Sequence, residues 1–321
     1  MSTEKLQAIV RGLRREASHV LSVELCPVNF EDHFPSFEPG SHIDLILEEG
    51  LVRSYSLCND SAENDRYVLG VLKEKNSRGG SAFIHERLRV GQELTISVPR
   101  NNFPLVVGEH ESVFVAGGIG VTPILSMLRS LSRQKKPATL YYCARSKPEA
   151  AFLDDISQLA SSTLKVNYHF DDEQGCAPSL KKLMSGHSKD SHFYCCGPLP
   201  MLDAFEAACS ELGLLNLHIE RFSAPVTRGE LAASEFVVEL RKSGLMVNVR
   251  KDQSILDAVI DAGCMPDHSC REGLCGACET RIIEGEADHR DSILTSKEQA
   301  ENKSMMICVS RSKSQMLVLD L

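Results

Sequence analysis

The chain has 321 residues, 42% hydrophobic and 25% charged, an ordinary globular balance with material for two or three domains at about 100–200 residues each. A net charge of −9 and a pI near 5.7 argue against a nucleic-acid partner, which needs a basic face. No apolar run approaches the roughly 18 residues of a membrane span, and the opening MSTEKLQAIVRGLRREASHV shows no Arg-rich or apolar leader, so a cytoplasmic protein with no membrane contact is expected.

Residues 1–105 read as short strands with turn punctuation: HVLSVELCP, SHIDLIL, LVRSYSLCN, RYVLGVLKE and QELTISVP, with turns at Pro39-Gly40 and Val90-Gly91. Strands at this spacing predict an antiparallel barrel, with one short helix over Ser81–Leu88. Within it, RSYSL (Arg53, Ser54, Tyr55, Ser56, Leu57) and NSRGGS (ending Arg78, Gly79, Gly80, Ser81) stand out. Free backbone N–H groups where glycines open a helix favour a phosphate. Arg53 and Arg78 can add charge-assisted bonds, and Tyr55 can lie against a flat ring. Read singly, each residue is equally well a packed phenol or a solvated arginine.

Over 106–225 strands and helices alternate: SVFVAGGIG, TPILSMLRSLSRQ, ATLYYCAR, AAFLDDISQLA, KVNYHF, SLKKLMS, HFYCCGP and PMLDAFEAACSELG. This predicts a parallel sheet with helices on both faces. In VAGGIGVTP, Gly117, Gly118 and Gly120 follow a strand and Thr122 and Pro123 open a helix, a turn that lets a pyrophosphate approach the backbone. The spacing differs from G-x-G-x-x-G, and a tight strand–helix turn is the alternative. Cys196, Gly197 and Pro198 end a later strand at the same expected sheet edge. Nothing nearby lowers the Cys196 pKa, so a polarizable ligand contact is expected there rather than a nucleophile. Cys26, Cys58, Cys143 and Cys209 sit singly in apolar runs and read as small buried hydrophobes.

APVTRGELAAS at 224–234 lacks periodicity and reads as a linker, which we bound at 226–234. In 235–321, EFVVELRKSGLMVNVR predicts a hairpin turning at Ser243-Gly244, and SILDAVIDAG a helix capped by Ser254 and ended by Gly263. SMMICVSRSKSQMLVLDL predicts two more strands. Between them lies CREGLCGACET. Cys270, Cys275 and Cys278 form C-x4-C-x2-C, and Cys308 supplies a distant fourth thiol, the plant-type spacing of a [2Fe–2S] cluster. Zinc is the competing reading, but it usually takes paired C-x2–4-C knuckles, and Cys308 has no near partner. Cys264 reads as structural, His268 as a solvated loop residue, and EADHRD (286–291) as an exposed polar loop.

Taken in order, RSYSLCND, NSRGGS, VAGGIGVTPILSM, YCCGP, CREGLCGAC, GEADHRD and LVLDL closely resemble the phthalate dioxygenase reductase family over nearly the whole chain. Vanillate demethylase and carnitine monooxygenase reductases look similar. The resemblance implies a multi-domain protein with an antiparallel β-barrel flavin domain, an α/β nucleotide domain and an α+β β-grasp ferredoxin domain. It implies FMN, NADH and a [2Fe–2S] cluster as cofactors and a Rieske-type terminal oxygenase as transient partner. By its pattern Arg53, Ser54, Tyr55 and Ser56 meet the flavin, with Thr122 near it. Arg78, Gly79, Gly80 and Ser81 hold the FMN phosphate. Gly117, Gly118, Gly120, Pro123, Cys196, Gly197 and Pro198 contact the nicotinamide nucleotide, and Arg145 lies near the adenosine ribose. Phe222 covers the flavin where nicotinamide must enter. Thr122, Cys196 and Phe222 are the residues expected nearest the chemistry. The implied electron path is NADH to FMN to cluster to oxygenase. The alternatives are a stand-alone flavin/iron–sulfur reductase of a small acceptor and a non-catalytic cluster-containing redox sensor.

Overall fold

The computed structural model describes residues 5–75, 77, 79–223 and 234–321. Arg78 and residues 226–233 of the expected linker lie outside the described residues. The chain divides into two compact units, one of Glu4–Phe222 and the other holding Ser223–Leu321.

The first unit begins with β1 (Lys5–Ala17), β2 (Val20–Pro27), β3 (His42–Ile46), β4 (Val52–Ser56), β5 (Tyr67–Leu72), α1 (Gly80–Glu86) and β6 (Glu93–Ser97). The strands form one antiparallel sheet in the order β4-β3-β6-β1-β2-β5. A bridge between Leu57 and Leu69 links the two edge strands and rolls the sheet into a barrel. The core is Leu25, Ile43, Leu45, Tyr67, Leu69 and Ile96, with Phe83 and Ile84 of α1 laid on it. β1 is absent from the sequence-based reading. Its alternation is confined to Leu6, Ala8 and Val10, with Ala8 and Val10 buried, before an arginine-rich half obscures the pattern.

There follow β7 (Ser112–Gly117), α2 (Val121–Gln134), β8 (Ala138–Ala144), α3 (Leu153–Leu159), β9 (Leu164–Phe170), α4 (Asp171–Gln174), α5 (Leu180–Met184), β10 (His192–Cys196), α6 (Leu199–Leu212) and β11 (Leu217–Glu220). The strands make a parallel sheet in the order β11-β10-β7-β8-β9. β7 shows why its sequence is apolar throughout. Phe114 and Ala116 join a core on one face with Leu125, Leu128 and Tyr142. Val113 and Val115 join another on the opposite face with Phe193, Leu202 and Phe205. A strand buried on both faces shows no alternation.

Barrel and sheet meet within this unit. Gly70 of β5 has no room for a side chain: an added Cβ would lie 2.5 Å from Thr122 Cγ2 and 2.9 Å from the Phe152 ring. Phe152 holds a left-handed φ of 61°, an uncommon conformation for a bulky residue. Beside this packing, Asp155 accepts from Arg14 of the barrel (2.8 Å) and from Arg129 of α2 (2.5 Å).

The second unit contains β12 (Phe236–Leu240), β13 (Leu245–Val249), α7 (Ile255–Asp261), β14 (Glu279–Glu284), β15 (Ala287–Asp288), α8 (Ser296–Glu301), β16 (Ser304–Met306), β17 (Arg311–Ser312) and β18 (Met316–Leu319). One sheet runs β13-β12-β18-β14-β16, with β12 and β18 parallel and the other pairs antiparallel. Ile255, Leu256 and Val259 of α7 join Val238, Leu240 and Leu317 in the core, a β-grasp arrangement. The Ser254 side chain accepts from Asp257 N, capping α7 as its sequence predicts. The terminal stretch forms three strands instead of two, because Arg311–Ser312 turns aside to pair with Ala287–Asp288. That pairing corrects the reading of EADHRD as an exposed loop. The His289 and Asp291 side chains are 7% and 0% exposed.

Candidate functional site

In the parallel sheet, the chain builds outward from β7 through β8 to β9, then returns to place β10 on the other side of β7. The carboxyl ends of β7 and β10 therefore flank the point where strand order reverses, the usual ligand crevice of open α/β sheets. Ala116 is paired with Cys196 in this register, so the loops 117–120 and 196–198 emerge side by side. A Cβ on Gly120 would lie 2.2 Å from the Cys196 carbonyl oxygen, backbone against backbone. Gly117 and Gly197 likewise pack against each other and Met201. Gly118 is different: its φ is 54° and nothing lies within 4 Å of an added Cβ. Three glycines knit the two loops together, and the fourth leaves an open backbone surface that suits a nucleotide phosphate. Pro123 sits in the first turn of α2 and Pro198 precedes α6. Arg145 is exposed just past β8.

Cys196 is fully buried, and burial holds its thiol well above the ordinary range, with Glu220 adding to this. Glu220 is absent from the sequence-based candidates. Its carboxyl oxygen lies 4.0 Å from Cys196 Sγ, and burial raises its pKa to about 8. An acidic residue at the end of an edge strand carries no sequence signal of burial; only the pairing of β11 with β10 brings it beside Cys196. Two residues on, Phe222 is 42% exposed.

On the barrel, strand alternation splits RSYS. Ser54 Oγ donates to Asp44 Oδ1 (2.6 Å), and Asp44 also accepts from Arg100 (2.7 Å). Arg53 and Tyr55 project from the other side of β4. Arg53 lies across the start of α1, where a Cβ on Gly80 would be 2.5 Å from its Cγ. The glycine thus makes room for a guanidinium at a helix opening, a combination that suits a phosphate. Burial raises the Tyr55 hydroxyl to about 12. Ser56 is buried. Ser81 Oγ accepts from Glu74 N (3.1 Å) and donates to Ser77 (3.0 Å), pinning the loop before α1. Thr122 Oγ1 donates to Ile119 O (2.9 Å), fixing the turn between the glycines and α2.

In the second unit the four expected ligands come together as two pairs, Cys270 with Cys275 and Cys278 with Cys308, each within hydrogen-bond reach. Two thiol pairs suit two irons, one pair to each, better than one zinc. The Cys275 thiol and the Glu272 and Leu274 N–H groups point at Cys270 Sγ, which lowers the Cys270 pKa and raises that of Cys275, so within the pair one sulfur accepts and the other donates. Ser269 Oγ and both His289 ring nitrogens are buried without a hydrogen bond among the described residues, His289 Nδ1 standing 3.8 Å from Asp291 Oδ1. A buried hydroxyl without a hydrogen bond directly beside Cys270 fits a site whose remaining acceptor belongs to a cofactor.

Among the described residues no helix is long and apolar enough to cross a membrane. Residues 114–207 match the oxidoreductase NAD-binding domain and residues 238–313 the 2Fe-2S iron-sulfur cluster binding domain. The chain is 44% identical to phenoxybenzoate dioxygenase subunit beta of Ectopseudomonas oleovorans, over 90% of this chain and 89% of the relative. It is 43% identical to tetrachlorobenzoquinone reductase of Sphingobium chlorophenolicum, over 97% of both. A solved structure of phthalate dioxygenase reductase, described as modular for electron transfer from pyridine nucleotides to [2Fe–2S], matches with a TM-score of 0.72 and 34% identity, over 99% of this chain and 98% of its own. With a barrel, a nucleotide-binding sheet and a four-cysteine β-grasp in this order, and at this identity over its length, the chain belongs to the phthalate dioxygenase reductase family of oxygenase reductases.

Proposed function

We propose that the protein is the NADH-dependent reductase component of a two-component Rieske-type oxygenase, with FMN as its flavin. The observation that carries this reading is the union in one chain of a nucleotide crevice at the β7/β10 switch point and two thiol pairs suited to a two-iron cluster. When bound, the flavin would supply a two-electron hydride acceptor for NADH and the cluster a one-electron outlet. The chain's own residues bind and orient. Gly117, Gly118, Gly120, Pro123, Gly197 and Pro198 present backbone to the dinucleotide, with Arg145 toward its ribose end. Arg53, Gly79, Gly80 and Ser81, joined by Arg78, hold the FMN phosphate. Tyr55 and Thr122 line the flavin, Ser54 and Ser56 meet it through their backbone because their side chains turn to the other face of β4, and Cys196 with Glu220 borders the nicotinamide position. Phe222 shields the flavin face and yields to nicotinamide.

In this reading the barrel spans 1–105, the nucleotide domain 106–225, the linker 226–234 and the ferredoxin domain 235–321. The protein works in the cytoplasm and meets its oxygenase transiently. The likeness to a tetrachlorobenzoquinone reductase favours a second reading, a small quinone as final acceptor. Anaerobic NADH titration followed by reconstitution with purified Rieske oxygenases and, separately, with quinones tests both. NADH-dependent product formation by an oxygenase supports the first reading. Rapid quinone reduction that persists without the cluster, with no oxygenase turnover, supports the second.

A further inference from the structure

We propose that Asp291 is a positioning residue for the iron–sulfur cluster, fastening the three-cysteine loop to the segment that carries Cys308. The apex of the cysteine loop is Gly273, at a left-handed φ of 68°. It is gripped from two sides: an added Cβ would lie 2.7 Å from Val309 Cγ2 and 3.0 Å from Asp291 Cα. Val309 directly follows the fourth ligand. On the other side, Ser292 N donates to Gly273 O (3.0 Å).

Asp291 sets the geometry of that grip. Its side chain is fully buried. Oδ2 accepts from Leu294 N (2.8 Å) and Ile293 N (3.2 Å), folding 291–294 into a turn that aims the Ser292 N–H at Gly273. Oδ1 faces Ser310 Oγ at 3.5 Å, and that hydroxyl accepts from Arg290 N (3.2 Å). One carboxylate therefore reaches toward the loop that supplies three ligands and toward the chain two residues beyond the fourth. Burying a carboxylate is costly unless its lone pairs are satisfied, and here backbone N–H groups satisfy them. Residues that orient metal ligands from behind tune how tightly the metal is held.

This rests on the four cysteines being the cluster ligands. The test uses full-length holoprotein, purified anaerobically as wild type, Asp291→Ala, Asp291→Asn and Ser310→Ala. Iron release to a ferrous chelator is timed, and the reduced-cluster EPR signal and NADH-driven flavin bleaching are recorded alongside. Asp291→Ala is expected to release iron about 10–100-fold faster, the usual range for such outer-shell losses, with flavin bleaching unchanged. Asp291→Asn keeps an acceptor oxygen for the 293 and 294 N–H groups and should hold iron within a few-fold of wild type. Ser310→Ala, which leaves the carboxylate in place, should fall between them and supplies the answer should Asp291→Ala fold poorly. Iron release at the wild-type rate in both Asp291→Ala and Ser310→Ala overturns the proposal. So does an Asp291→Asn variant as labile as Asp291→Ala. A wild-type protein without cluster absorbance or EPR signal would instead sink the reading of the four cysteines.

Discussion

The glycine loop at 117–120 and the cysteine loop at 270–278 are both tight, small-residue turns built to bring backbone close to a cofactor. They reach that end by different routes. At the nucleotide edge, Gly120 meets the Cys196 carbonyl and Gly117 meets Gly197, so one loop is shaped by its neighbour in the sheet. The cysteine loop is shaped largely by its own backbone, with the Glu272 and Leu274 N–H groups turned onto Cys270 Sγ. Tertiary support enters chiefly at Gly273, from the 291–294 turn and Val309. A ligand set written as a local spacing identifies itself; a crevice made by two distant loops does not.

The sharpest break between the two regions is Cys275→Ser, which removes one thiol of a pair. Complete loss of the cluster is expected, with flavin bleaching by NADH intact in stopped flow. Loss of bleaching in a folded variant would contradict independent modules. Next in size is Gly120→Ala. Its Cβ would stand 2.2 Å from a carbonyl oxygen that cannot step aside. We expect about 1–3 kcal/mol of destabilisation and at least a tenfold weaker NAD dissociation constant. Gly118→Ala, facing open space, should cost only the left-handed backbone penalty of about 1–2 kcal/mol. A Gly120→Ala variant that melts with the wild type and keeps its NAD dissociation constant would show that loop packing is not what Gly120 serves.

Two carboxylates, Asp291 with a fully buried side chain and Glu220 half-buried, sharpen the comparison. Asp291 is supported by backbone N–H groups, whereas Glu220 has the Cys196 thiol at 4.0 Å and a pKa raised by burial to about 8 from 4.5. Between those values the folded state keeps a proton that the unfolded state has released. Stability therefore falls as pH rises from about 4.5 to about 8 and levels off above it. Glu220→Gln, which mimics the protonated form, should flatten that part of a melting-temperature profile; an unchanged slope would assign it to other groups. The smallest effect on stability is expected for Phe222→Ala. At 42% exposed the ring is no core aromatic, so the loss should stay well below the roughly 3–5 kcal/mol of a buried Phe. NAD should bind more tightly as the shield is removed, and turnover should fall as product release slows. A weaker NAD dissociation constant with a large melting drop would mean that Phe222 shields nothing.

Much of this molecule is written in its sequence because its signals are local. C-x4-C-x2-C with Cys308 names a cluster, the apolar run into Gly117 and Gly118 names a strand entering a nucleotide turn, and Ser254 caps α7 as its position predicts. The T-x-x-E box at Thr295–Glu298 that starts α8 is an equally local signal, absent from the sequence-based reading. Other features exist only once distant segments meet. Glu220 stands beside Cys196, half-buried, because β11 pairs with β10, and Gly70 is required because Thr122 and Phe152 press on β5. His289 and Asp291 look like solvated charges until β15 pairs with β17 and turns them inward. Spacing and periodicity report what a segment does by itself. Burial of a charge and the choice of its partner depend on long-range pairing, and in this protein only the tertiary structure decided them.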